Sequence, residues 1–214
     1  MPTSNNLGFT FIEQSQSQKE VTANAAFTAL DALMNTGAVD KDLATPPGSP
    51  TAGDVYIVAG SPTGAWSGKA GYVAYYDQAW KFILPKEGMQ LWVRDEDRFY
   101  VWNGSAWARP SITEYLSGRV DTPANKDYTL LVDAPYALTI TEAATQSASG
   151  SCTATFKINT TALGGTANSV TSTKQLQAQG SANAVAAGDK IVMTISANAS
   201  CADLVWRLTY TRQL

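Results

Sequence analysis

The chain has 214 residues, only 15% of them charged, and a formal net charge of −3. The absence of histidine excludes His-based catalytic triads and removes the commonest zinc ligand. No cluster of Lys and Arg is present, which argues against nucleic-acid binding because such proteins need a basic patch to displace counterions. No signal-peptide pattern or apolar run of about 18 residues is visible, so we expect a soluble protein made in the cytoplasm.

Residues 1–43 are predicted to form an N-terminal arm and helix that serve attachment or oligomerisation. The arm is polar except for one apolar island at 7–12. Apolar residues at helical spacing then predict an amphipathic helix over about 20–35, with Gly37 as its stop. One short helix cannot hide all these apolar residues, so we expect four of the arm to pack against symmetry mates: Leu7, Phe9, Phe11 and Ile12.

Residues 44–110 are predicted to form a small Trp-rich antiparallel meander. Five of the six tryptophans lie between 66 and 107, and Asn103-Gly104 separates two aromatic runs. That dipeptide is a strong hairpin signal because both residues tolerate positive φ. Short hairpins bury little surface, so we expect the large rings to carry the packing. The predicted strands are 54–59, 72–76, 80–84, 90–94, 98–103 and 105–109.

Residues 120–214 are predicted to form a separate C-terminal β-sandwich or jelly-roll-like domain, after a linker at 109–125. Ser, Thr and Ala dominate this part, and turn residues separate segments with period-2 alternation. The predicted strands are 128–132, 137–143, 152–158, 190–196 and 204–211. The fold class is therefore mainly β: one N-terminal helix with a Trp-rich meander, followed by a sandwich.

The two cysteines, Cys152 and Cys201, are too few for a disulfide framework or a Cys-only zinc site. Both fall in strand-like segments. The sequence leaves open whether they pair across a sheet or remain two buried thiols that act as small apolar residues.

Five residues near the predicted turns are candidates for binding a glycan. Exposed indole faces stack on sugar C–H surfaces while carboxylates and amides orient the hydroxyls, which points to Trp66, Trp80, Trp107, Asp77 and Asn103. The alternative is that the rings form the core of the small sheet, and for any single tryptophan we favour the core. The three tryptophans next to turns are the better candidates for exposure.

The acidic run Asp95-Glu96-Asp97 is the one concentration of carboxylates in the Trp-rich segment. Glycosidic cleavage needs two acids about 5–10 Å apart, whereas adjacent residues of a hairpin turn diverge. No EF-hand-like loop and no Gly-x-Ser-x-Gly motif is present. We therefore expect no catalytic residues, no metal and no cofactor.

Three motifs in fixed order carry a family resemblance: QKEVTANAAFTALDAL (18–33), PPGSPTAGDVYIV (46–58) and the Trp-rich run 64–107. Together they resemble an uncharacterised domain family of tailed phages and phage-derived gene transfer agents. Ala25 stands where that family's pattern has Glu. Segments 117–140 and 187–212 resemble the C-terminal β-domains of phage fibre and spike proteins. The resemblance implies a virion surface appendage used in adsorption, and it implies no catalytic residues.

The function expected from these observations is a virion structural protein, a tail fibre or spike component that adsorbs to a host-surface glycan. The alternatives are a polysaccharide-degrading spike enzyme and a stand-alone lectin-like module. The expected partners are other virion proteins at the N-terminal segment, host glycans, and further copies in a trimer or a pentamer. We expect neither nucleic-acid binding nor membrane insertion. The protein would reach the virion surface after lysis of the host.

Overall fold

A computed structural model describes residues 9–34 and 37–214. The chain divides into two compact units, Met1–Pro110 and Ser111–Leu214. Leu7, one of the residues expected at an oligomer contact, lies outside the described residues.

The first unit combines one helix with two small antiparallel sheets. Helix α1, Lys19–Met34, lies close to the predicted 20–35. No helix within the described residues is long and apolar enough to cross a membrane. The sheets have the orders β1-β2-β3 and β4-β5-β6. The strands are β1 (Val55–Ile57), β2 (Val73–Asp77), β3 (Ala79–Ile83), β4 (Gln90–Val93), β5 (Arg98–Trp102) and β6 (Trp107–Ala108).

An irregular segment after the helix joins these two sheets through backbone hydrogen bonds. The Ala38 amide donates to the Trp92 carbonyl of β4, while the Val39 amide donates to the Val55 carbonyl of β1. Gly37 enters this segment with φ of +63°, and a Cβ there would come within 2.9 Å of the Trp92 carbonyl oxygen. The predicted helix stop at Gly37 is therefore a position whose backbone conformation only glycine adopts without strain.

Two apolar clusters hold the first unit together, one on each face of the β1-β2-β3 sheet. Alternation along β1 sends Val55 and Ile57 to one face, where they meet the helix residues Ala29 and Ala32 and the second sheet. Tyr56 points to the other face, into a cluster built mainly of aromatic rings.

The second unit is a sandwich of two antiparallel sheets. One sheet has the order β11-β10-β15-β8 with β12 paired to β10, and the other has the order β13-β9-β16-β7 with β14 paired to β9. The first six strands are β7 (Ser111–Val120), β8 (Asp127–Leu131), β9 (Leu138–Gln146), β10 (Ser149–Ile158), β11 (Thr161–Ala162) and β12 (Asn168–Val170). The last four are β13 (Gln175–Ala178), β14 (Ala184–Val185), β15 (Ile191–Ala202) and β16 (Leu204–Gln213).

A single core fills the space between the two sheets. Phe156, Met193 and Ile195 come from one sheet, and Trp206 and Leu208 come from the other. The Trp206 indole packs over Gly118 of β7, where a Cβ would approach the ring to 2.7 Å. The predicted fold class, mainly β with an N-terminal helix and a C-terminal sandwich, is confirmed.

One expectation about the path of the chain is wrong. Residues 109–125 were expected to be a linker, but β7 occupies most of that segment and pairs with β16 over its whole length. The first-unit strands also form two sheets rather than one continuous meander.

Candidate functional site

Two of the predicted glycan-binding tryptophans lie in a closed aromatic cluster of the first unit. Trp66 is the last residue of a single 3-10 turn and is fully buried, with its ring centroid 5.0 Å from that of Trp80. Tyr56 and Tyr76 flank them, at 5.7 and 5.2 Å from the half-buried Trp80. Trp66 was one of three candidates for exposure, but it occupies the core, which is the alternative favoured for any single tryptophan, because its turn folds the indole back onto the sheet.

Contacts with neighbouring residues hold the Trp107 ring in place. Its indole Nε1–H donates to the Gly71 carbonyl over 2.8 Å, and its ring lies edge-on to Trp102. Trp107 is half-buried and packs against the core of the first unit. The bond ties β6 to the loop before β2.

The two polar candidates, Asp77 and Asn103, form polar contacts with residues in or next to their own turns. The Lys81 ammonium forms an ion pair with the Asp77 carboxylate. The Asn103 side-chain oxygen accepts hydrogen bonds from the amides of Ser105 and Ala106, at 3.0 and 2.9 Å. The structure therefore does not bring the five predicted residues into one site.

The acidic run 95–97 is also accounted for by local contacts. Hydrogen bonds from the Tyr100 hydroxyl and then the Lys41 ammonium hold the pKa of Glu96 below its ordinary value. Asp97 adopts the positive φ of 51° that closes the turn between β4 and β5. Within the described residues, no group of three or more His, Cys, Asp or Glu side chains could hold a metal ion.

A groove of about 460 Å³ lies on the outer face of the β13-β9-β16-β7 sheet, and we call it the outer groove. Strand alternation along β16 buries Trp206 and turns its neighbours Val205 and Arg207 outward. Arg119, Ala144, Gln146, Lys174, Asp203, Val205 and Arg207 are among the residues that line it.

The register of the sheet fixes which side chains stand side by side in and near the outer groove. Val205 lies between Gln146 of β9 and Arg119 of β7. Arg207, which lies two residues after Val205 on β16, pairs with Ala144 of β9. Because β pairing spaces neighbouring strands by about 5 Å, these rows form one continuous surface.

Tyr115 extends this surface beside the groove. It is well exposed, pairs with Thr209, and has the Arg207 guanidinium 5.2 Å from its ring centre. The same guanidinium forms an ion pair with Glu142 at 2.7 Å. Stacking and pairing together hold both the ring and the guanidinium in a fixed orientation.

The charges around the outer groove are largely paired. Arg119 bridges Asp203 at 2.6 Å and Asp121 at 2.7 Å, and its hydrogen bond to Asp203 raises its pKa further. Lys174 has no carboxylate partner among the described residues. A surface of this kind presents many hydrogen-bonding groups with little net charge.

Sequence reasoning named none of the outer-groove residues, and it placed β7, the strand that supplies Arg119, in a linker. Alternation in SITEYLSGRV was the available signal, since Ile112, Leu116 and Val120 share one side of the strand. Glu114 and Gly118 fall on the same inward side and hide the pattern. The structure explains both, since Glu114 pairs with Arg212 and Gly118 makes room for an indole.

Comparison with known proteins gives one family match, over less than half of the chain. The family described as "Protein of unknown function (DUF2793)" matches residues 23–108, which cover most of the helix and both first-unit sheets. No curated protein matches the chain.

Among solved structures, a chain in the structure of infectious bursal disease virus, Gx strain, is similar at 15% identity with a TM-score of 0.29. The similarity covers 67% of this chain and 42% of that one. A TM-score of this size is below the level that indicates a shared fold.

Proposed function

We propose that this protein is a structural component of a virion surface, in a tail fibre or spike, and that it adsorbs to host glycans through the outer groove. The observation that carries the proposal is the exposed face itself. The outer face of the sheet presents the Tyr115 ring, two guanidinium groups paired with carboxylates, and the Gln146 side chain, whose amide nitrogen donates to the Ser172 carbonyl. Rings that stack on sugars and donors that meet hydroxyls are what glycan recognition requires.

The order of motifs in 18–107 supports the virion context through its resemblance to a family of tailed phages and gene transfer agents. The paired charges of the groove favour a neutral glycan over nucleic acid, because nucleic acid requires an unneutralised basic surface. Such binding is weak at each site and gains strength through several copies on one particle. The protein would reach this location by lysis of the host.

Adsorption of the full chain to host cells or purified host polysaccharide tests this proposal. Val205→Glu places a bulky charge in the middle of the outer groove and should reduce binding at least tenfold. Val132→Glu is the matched control, because Val132 is also an exposed valine of the second unit but lies outside the groove. Equal binding by the two variants would contradict the assignment of the groove.

Two further readouts separate the alternatives. A polysaccharide-degrading spike would release reducing ends from the host polysaccharide, whereas an adhesin would leave it intact. Loss of binding at moderate salt would indicate that the glycan is acidic and not neutral, because salt screens attraction between exposed charges beyond about 8–10 Å.

A further inference from the structure

Helix α1 carries apolar residues on two opposite faces, and among the residues that the structure describes only one face is covered. Ala29 and Ala32 are buried in the core of the first unit. On the other side, Phe27, Leu30 and Met34 are exposed. Their spacing of three and four residues places them in one row along the helix.

The arm before the helix continues this row. Phe11 and Ile12 are exposed and, with Phe27, line a groove of about 560 Å³. We call the five residues Phe11, Ile12, Phe27, Leu30 and Met34 the helix stripe. Phe9, which was expected to join them, instead packs against the core of the first unit.

The exposed area of the helix stripe is close to what an interface needs. Its members are exposed to 50% (Phe11), 48% (Ile12), 66% (Phe27), 39% (Leu30) and 72% (Met34). At about 200 Å² for a fully exposed side chain of this size, the stripe exposes on the order of 550 Å². Two stripes in contact would bury roughly 1,100 Å², above the about 1,000 Å² expected of a biological interface.

We propose that the helix stripe packs against the same stripe of a second copy of this chain. A stripe with three- and four-residue spacing is self-complementary, because its side chains insert between those of an identical helix. The charges of α1 disfavour a membrane as the occupant. A helix that lies on lipid carries Lys and Arg on its polar face, whereas α1 has Lys19 against Glu20 and Asp31. This inference is independent of the glycan-binding proposal.

Sedimentation velocity on the full chain tests the inference. At micromolar concentrations the wild type should have a mass that is a multiple of 22.7 kDa and should dissociate on dilution. Its association should persist as NaCl is raised, because apolar contacts are not screened. A wild-type protein that stays monomeric would overturn the proposal. The same holds if the monomer binds vesicles or another protein.

Variants locate the contact. The double substitution Phe27→Ser with Met34→Ser should weaken self-association at least tenfold. Val21→Ser is the matched control, since Val21 is an exposed apolar residue of the same helix on the side away from the stripe. Near-ultraviolet circular dichroism confirms that each variant is folded. An oligomer that survives the double substitution, or that is lost equally in the Val21 variant, would show that another surface forms the contact.

Discussion

Oxidation of Cys152 and Cys201 should produce an intramolecular disulfide that stabilises the second unit. Both thiols are buried on neighbouring strands, β10 and β15, and their Sγ atoms lie 3.6 Å apart. A disulfide needs a separation of about 2.05 Å, so small rotations of the two side chains bring the sulfurs together. Oxidised glutathione accepts the two electrons, and each thiol gives up its proton as the bond forms.

The size of the effect follows from the loop that the bond would close. The two cysteines are 49 residues apart. Loop-closure entropy for that length predicts about 4 kcal/mol, and measured disulfides give about 2–4 kcal/mol. For a unit of this size that corresponds to a rise of roughly 10–15 °C in Tm.

Protonation controls how fast the bond can form. Burial raises the pKa of the Cys152 thiol to about 12, so the Cys152 thiolate is scarce in the folded protein at neutral pH, and both thiols are buried away from the oxidant. Oxidation should therefore be slow in the folded protein and fast during refolding. The reduced protein should also lose stability as pH rises from about 9 towards 12, because unfolding releases a proton that the folded state retains.

The assay is refolding from urea in a glutathione buffer, followed by thiol counting, intact mass and a second urea titration. Cys201→Ala is the control, because it cannot close the loop and should gain no stability in oxidising buffer. Two free thiols after refolding, a mainly intermolecular bond, or an oxidised form less stable than the reduced one would each refute the reasoning.

Three further predictions concern the described contacts. Trp66→Ala should lower the free energy of unfolding of the first unit by about 3–5 kcal/mol in a urea titration, against less than about 1 kcal/mol for the exposed Phe99→Ala. Asn168→Ala should lower the free energy of unfolding by about 1–3 kcal/mol, because the buried amide donates hydrogen bonds to two groups of β9. An unchanged free energy in a urea titration would contradict this and would mean that water replaces the amide. The lowered pKa of Glu96 stabilises the fold above about pH 4.5, and this contribution is lost on acidification. Glu96→Gln should therefore flatten the loss of stability measured below that pH, and an unchanged slope would contradict the contribution assigned to the Tyr100 hydrogen bond.

The strands of the first unit can be predicted from the sequence because short-range chemistry fixes their ends. The amide oxygen of Asn103 and the positive φ of Gly104 close the β5–β6 turn within a few residues. Gln78, with φ of 57°, does the same between β2 and β3. The way in which the two sheets join is not visible locally, since it depends on the backbone hydrogen bonds from Ala38 to Trp92 and from Val39 to Val55.

Long-range pairing also explains why the short strands of the second unit were missed. Each of β11, β12, β13 and β14 is held by a longer neighbour, and β11, β12 and β14 have only two or three residues, which are too few to show alternation. Asn168 of β12 is an example, since the amide is fully buried and bonds across to β9. A buried amide at a strand position gives no apolar signal in the sequence.

The aromatic residues are placed differently in the two units of this protein. The three-stranded sheets of the first unit are too small to form a core from aliphatic side chains alone, so the rings of Trp66 and Trp80 are needed inside it. The second unit fills its core largely with aliphatic residues from two larger sheets and can leave Tyr115 outside. An exposed ring on a rigid sheet binds without the cost of ordering a loop. For this reason a test of the proposed glycan binding should begin with the charge-paired outer face around Tyr115 and Arg207, and only then turn to the segment richest in tryptophan.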